Sequence, residues 1–214
     1  MRTWLAYVMS LALAAFAIAA SVPVTSVAIV AGAPLFSSAL YPIDAWWNNR
    51  GTIVARYHMN KAEREITDRS AMEAILREGR YAIIALCRDA EPYIVSLSYG
   101  YDAGRNALYF HSAAKGLKLD FLASNGAACA TVIADGGYVV DQCAHRYRSV
   151  VLRGRMQVVG SPEERIHGLE TLAEQLETDV AARKEKISRL GGEKWRSMAI
   201  LRLDIAEMTG KSGQ

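Results

Sequence analysis

The chain has 214 residues, 51% of them apolar and 22% charged, with 16 Gly and 5 Pro. That length suits one domain of ordinary size, and the composition excludes a disordered, collagen-like or low-complexity chain. A formal net charge of +3 supplies no basic stripe for a nucleic-acid backbone, and three Cys without a Cys-x-x-Cys pair argue against a disulfide framework or a structural zinc site.

Charge is spread unevenly. Residues 1–58 hold four charged side chains, Arg2, Asp44, Arg50 and Arg56, and Thr3–Ile43 holds none. Leu5–Ala20 is an Ala/Leu-rich apolar run behind a single Arg, followed by Ser21-Val22-Pro23 and a second apolar stretch, Val24–Leu40. This reads as a signal peptide or one membrane helix, with Trp46-Trp47 as an interfacial anchor. The other reading starts the protein at Met59, where Met59–Asp68 looks like the opening of a soluble chain. Residues 1–58 are then an upstream extension; an ordered extra element is a third option. The expected domain is 59–214, cytoplasmic if translation starts at Met59 and membrane-anchored or exported otherwise.

Ile66–Arg80 is expected to be a helix, with Thr67 or Asp68 capping its first turn, Met72, Ile75 and Leu76 on one face, and Gly79 as its stop. Tyr81–Cys87 and Tyr93–Tyr101 read as strands joined at Arg88–Pro92, and Ala107–Ser112 as a third after the turn Asp102–Asn106. Lys115–Ser124 returns to helical spacing through Leu117, Phe121 and Leu122, and Asn125-Gly126 closes it. Ala128–Ala134 is a fourth strand, Ala134–His145 a Gly-containing loop, and Tyr147–Val159 a long fifth strand with a bend expected at Gly154. Ser161-Pro162-Glu163-Glu164 opens a helix striped by Ile166, Leu169, Leu172, Ala173 and Leu176. A charged helix follows to Leu190, stopped by Gly191-Gly192, and Met198–Met208 is the last strand. Six strands with mostly local connections predict an α+β fold built on an antiparallel barrel, and no GxGxxG or Walker-type loop supports the usual nucleotide folds.

The chemistry concentrates in Tyr109–Asp120, where a strand passes through a small-residue turn into a helix N-terminus. Free N–H groups and the positive end of a helix dipole favour an anion there, Gly116 allows close approach, and Ser112, Lys115 and Lys118 add a hydroxyl and two positive charges. A phosphate monoester suits that combination. An ordinary helix start with solvated lysines is the plainer alternative.

The segment resembles the His-Ser-Ala-x-x-Gly-x-Lys-x-Asp stretch of flavoproteins related to pyridoxamine 5′-phosphate oxidase, most closely the nitroimidazole-resistance (nitroimidazole reductase) branch. The resemblance runs from Glu63 to Lys211. It includes Glu65-Ile66-Thr67-Asp68, the strand Pro92–Tyr101, Tyr147-Arg148-Ser149-Val150-Val151 with Gly154 after Cys143, and Ile205-x-x-Met208-Thr209-Gly210-Lys211. It implies a six-stranded FMN-binding split β-barrel, a homodimer with flavin sites at the interface, and NAD(P)H-driven reduction of a small acceptor such as a nitroaromatic. It also implies roles. Ser112 and Lys118 would hold the FMN phosphate with help from Lys115. Val95, Ser96, Leu97 and Ser98 would offer backbone groups to the ring. His111 would lie beside flavin or substrate as the catalytic residue, and Ser149 would reach the flavin from a neighbouring strand. A binding protein for haem or deazaflavin on the same barrel is the alternative function.

His111 can equally be a hydrogen-bonded strand histidine. His58, His145 and His167 have no metal-ligand spacing, and Cys143 near His145 lacks an orienting third group for a thiol nucleophile.

Overall fold

A computed structural model describes residues 59–213; the apolar leader, Trp46-Trp47 and His58 lie outside the described residues. Among the described residues seven strands form: β1 (Glu65–Ile66), β2 (Tyr81–Arg88), β3 (Glu91–Asp102), β4 (Ala107–Ala113), β5 (Ala127–Val139), β6 (Ala144–Val158) and β7 (Met198–Gly213). Five α-helices of the described residues accompany them, after a short 3-10 turn at Ala62–Arg64: α1 (Arg69–Glu78), α2 (Leu117–Ser124), α3 (Pro162–Leu176), α4 (Val180–Ser188) and α5 (Gly192–Ser197).

All the pairings are antiparallel, and the order β1-β7-β4-β3-β2-β5-β6 is closed by a further pairing of β7 with β6. The result is a ring of six strands, β2 to β7, with β1 as a two-residue addition. β7 closes the ring because it is long. Its Met198–Asp204 half pairs with β4, while Leu201–Gly213 pairs with β6. At Gly154 the β6–β7 register shifts, and a side-chain carbon there would sit 1.8 Å from the Asp204 carbonyl oxygen. The bend expected at that glycine is thus imposed by backbone crowding.

Even-numbered residues of β2 (Ala82, Ile84, Leu86) meet Tyr99, Phe110, Val132, Leu152 and Leu201 inside the barrel. Each large apolar side chain buried there contributes about 1.5–3 kcal/mol. Helix α1 plugs one end through Met72, Ile75 and Leu76, as its spacing predicts. Helix α3 lies outside the wall on a second cluster that includes Tyr109, Leu169, Leu172, Ala173 and Ile200. Its close seat depends on glycine: a side-chain carbon on Gly100 would stand 2.5 Å from the Thr171 carbonyl. Gln175 then ties α3 to two other elements. Its amide donates to the Leu76 and Gly79 carbonyls at 2.9 and 2.7 Å, and its carbonyl accepts from the Tyr101 N–H at 2.8 Å.

Several boundaries differ from expectation. The first helix begins at Arg69, because Asp68 caps it by accepting from Ser70 and Ala71, and Glu65–Ile66 instead pairs with Gly210–Lys211. Pro92 lies within β3. Ala134–His145 is not a loop but the end of a long β5–β6 hairpin, irregular only between Asp135 and Tyr138. Helix α2 starts at Leu117, and Leu117 is exposed while Phe121 is buried. Ile166 also lies exposed, off the buried stripe of α3. Gly191-Gly192 does not end the helical region. Gly191 caps α5, which sequence reading missed. No helix among the described residues is long and apolar enough to cross a membrane.

Candidate functional site

The β3–β4 ladder runs from Asp102↔Ala107 to Tyr99↔Phe110 and ends there. β3 remains paired with β2 back to Glu91, and β4 with β7 out to Ala113. Each strand follows its other neighbour, so the wall splits between Ser98 and His111. A cavity of about 780 Å³ lies at this split, bordered by Ser96, Leu97, Ser98, His111, Ser112 and Ala113. That volume falls within the roughly 300–1,000 Å³ of small-molecule and cofactor sites.

The opposite wall comes from the helices. Leu169, Leu172, Ala173 and Leu176 of α3 and Ile187 of α4 make it apolar, and Arg183, Lys186 and Lys194 stand around it with one acid, Glu177. Arg165 of α3 fixes α5 and the start of β7 in place. That guanidinium donates to the Trp195 and Met198 carbonyls at 2.7 and 2.9 Å and lies 4.8 Å from the centre of the Trp195 ring. Ile187 of α4 is buried.

His111 lies on the same face of β4 as Ala107 and Tyr109, which pack on α3, and it lines the cavity from there. Partial burial, and then the charge of Arg183, push its pKa below the ordinary histidine value. The imidazole is therefore neutral at neutral pH, able to donate from one nitrogen and accept at the other.

Beyond Ala113 the chain turns into α2. The Ala114 N–H donates to the Ser197 carbonyl at 3.1 Å, tying this turn to the cavity edge. Gly116 is the cap residue, with φ +130°, a backbone state that side chains disfavour. It brings no side-chain acceptor; the Leu119 N–H turns to the Gly116 carbonyl at 2.8 Å, and the Leu117 and Lys118 N–H groups are left for another acceptor. The Lys118 ammonium folds back over this turn, 4.0 Å from where a side-chain carbon on Gly116 would lie. Backbone donors, helix dipole and one ammonium thus converge on a single small volume.

Of the residues singled out from sequence, Ser96, Leu97, Ser98, His111 and Ser112 meet at the cavity. Val95 instead packs against the barrel core. Lys115 and Lys118 stand past the cavity edge at the α2 turn, and Ser112 is buried with its hydroxyl donating to the Ala113 carbonyl at 3.0 Å. Ser149 is not brought to the cavity. Its strand β6 has β5 and β7 as neighbours, neither of which is β3 or β4, and Ser149 pairs with Ile133 and Lys211 on the outer face. Sequence reading missed Arg183, Lys186 and Lys194. Their only signal was a run of Lys and Arg in a stretch that reads as a solvated charged helix.

Among the described residues the other two histidines are held by aspartates. His167 contacts Asp102 at 2.7 Å and meets the Tyr109 ring edge-on. His145 contacts Asp135 at 2.6 Å on the exposed β5–β6 hairpin, where Cys143 is exposed in a tight turn with φ 46°.

The model of the family described as pyridoxamine 5′-phosphate oxidase matches residues 68–212. The chain belongs to the pyridoxamine 5′-phosphate oxidase family. A curated relative in Rhizobium meliloti (strain 1021), itself uncharacterised, is 30% identical over 106 residues, 48% of this chain. The match spans 64% of that relative's length, just under two thirds. Among solved structures, a candidate 5-nitroimidazole antibiotic resistance protein from Bacteroides thetaiotaomicron is 22% identical with a TM-score of 0.59, covering 73% of this chain and 96% of that one. An FAD- and haem-binding protein from Mycobacterium smegmatis is also 22% identical, with a TM-score of 0.60 over 71% of this chain and 74% of that one. These likenesses establish the fold of this family member as the split β-barrel expected from its sequence.

Proposed function

We propose that the protein is an FMN-dependent oxidoreductase, with a reduced nicotinamide as electron donor and a small molecule such as a nitroaromatic as acceptor. The observation that carries this reading is the split between β3 and β4, with the Gly116–Lys118 anion cradle at its edge. The residues fit the group. Uncapped N–H groups of α2 and the Lys118 ammonium suit a dianionic phosphate, and the strand edges at Ser96–Ser98 and His111–Ala113 suit a flat ring. When bound, FMN supplies the hydride and electron transfer that no side chain here can perform. The protein's own part is to bind and exclude water. Lys118, Lys115 and the α2 N-terminus hold the phosphate, the leucines of α3 keep the cavity dry, and neutral His111 offers a proton donor or acceptor to flavin or substrate.

The assembly proposed is a homodimer. Tyr81, Ile94 and Ile133 are 60%, 67% and 52% exposed on the outer face of β2, β3 and β5, more apolar surface than a lone protomer comfortably shows to water. Ser149 sits opposite Ile133 on that same face, so its route to a flavin runs across such an interface. The relative named for FAD and haem makes those groups the competing chromophores, with deazaflavin a third.

The absorption spectrum of purified protein, before and after incubation with FMN, FAD or haem, tests the reading. Flavin bands that survive desalting with FMN support it, and a protein that stays colourless with both flavins overturns it. Lys118→Ala is expected to weaken FMN binding about tenfold, as loss of a charged phosphate contact should. Equilibrium dialysis against FMN measures this, and unchanged affinity removes Lys118 from the site.

A further inference from the structure

Cations are placed differently on the two sides of the α4 segment. Lys184 and Arg189, which do not line the cavity, are paired with Glu174 and Glu185. Arg183 lines it and shares only Glu177, at 3.5 Å. Lys186 and Lys194, from α4 and α5, also line it, and neither has an acidic partner among the described residues. The cavity therefore holds three cations against one carboxylate, above a wall of leucines, with His111 and the strand edges as its floor. Arg183, Lys186 and Lys194 are exposed at the cavity's edge, and like charges gathered there repel one another unless an anion joins them. Burial, and then the charge of Arg183, hold the His111 pKa below the ordinary histidine value, in keeping with that cation's place beside the floor.

We propose that this cavity selects an anionic substrate: a molecule with an apolar body against Leu169, Leu172 and Leu176 and one carboxylate or phosphate gripped by Arg183, Lys186 and Lys194. The inference rests on the flavin reading for its setting but concerns different residues, since the cofactor phosphate is assigned to the α2 turn. It narrows the acceptor from any small nitroaromatic to one bearing a negative charge. The α4–α5 segment, whose α5 end Arg165 holds, is then the element that decides what the enzyme accepts.

The test uses the flavin-loaded full chain and two probes of nearly equal shape, 4-nitrobenzoate and the neutral 4-nitrobenzamide. Isothermal titration is expected to show the anion binding about tenfold more tightly, as a charge-assisted contact should provide. In the double variant Lys186→Gln/Lys194→Gln that preference should disappear while the flavin spectrum and the thermal midpoint stay as in the parent. Equal binding of both probes, no binding of either, or a preference that survives the double variant overturns the proposal. Loss of flavin from the double variant overturns it as well, because the cations would then belong to the cofactor's phosphate. If the parent protein takes up no flavin, the functional reading itself has failed. The same two titrations on the flavin-free protein then decide the anion site separately, with the same preference required.

Discussion

The two ends of helix α3 treat charge in opposite ways. At its N-terminal end a group of opposite charges is closely matched. Glu164 accepts from the Tyr109 hydroxyl at 3.1 Å, contacts Arg202 and lies 3.5 Å from Arg105, while Arg202 also holds Asp204 at 2.8 Å. His167 and Asp102 close the group. Beyond its C-terminal end, three cations face a cavity with one acid between them. Matched charges in a partly buried setting lock an element into one position, whereas surplus like charges beside a cavity contribute nothing to folding and suit a ligand. The difference separates the part of the helix that builds the barrel from the part that serves the site.

The comparison can be broken most severely at the packed end. Gly100→Val drives a side chain into the Thr171 backbone and should cost about 3 kcal/mol or more, read by urea denaturation. Glu164→Ala should cost about 2 kcal/mol by the same measurement, since it leaves the Tyr109 hydroxyl and one side of Arg202 without their acceptor. The pH dependence sharpens this. Burial pushes the Glu164 carboxyl up, but Arg202 and Tyr109 outweigh it and hold the pKa below the usual carboxylate value of 4.5. The unfolded chain then binds the proton first. The Glu164 contribution is fully present above that value and is lost as pH falls through the folded pKa. Stability curves of the parent should therefore drop more steeply than those of Glu164→Ala in that acid window.

The open end should respond in the reverse sense. Lys186→Gln/Lys194→Gln is expected to leave stability within about 0.5 kcal/mol of the parent, and a larger loss would show those lysines to be structural. The smallest effect is on a single titration. Arg183→Gln removes one of the two causes that depress His111, so its pKa should move up toward 6.5 while burial keeps it below. The ring proton signals of His111 across a pH series report this directly. Because the charged form is disfavoured in the folded state, His111 removes stability as pH falls from the unfolded value through the folded one, and Arg183→Gln should narrow that loss.

The legible parts of this molecule were those set by neighbours in sequence. Asp68, Ser161 and Pro162 announced their helix starts because a cap needs only the next three residues. The buried faces of β2 and α1 followed from period. Ala134–His145 reads as a loop because Asp135, Gly136 and Gly137 look like a turn, while pairing of Tyr138 with His145 and Val139 with Ala144 continues the ladder past them. Ser149 was assigned to the flavin from family likeness; within one protomer the strand order places it away from the split.

By itself the sequence determined the cores of β2 to β7, the caps at Asp68 and Ser161, the glycine bend at Gly154 and the anion-favouring turn at Gly116–Lys118, because each is written in residues close together along the chain. Tertiary structure alone decided where β3 and β4 separate, which cations of the 183–194 stretch enter the resulting cavity, and which of the outer faces α3 leaves bare. Those outcomes depend on which strand each edge pairs with and on how a helix seats against distant glycines, and neither leaves a local pattern in the residues involved.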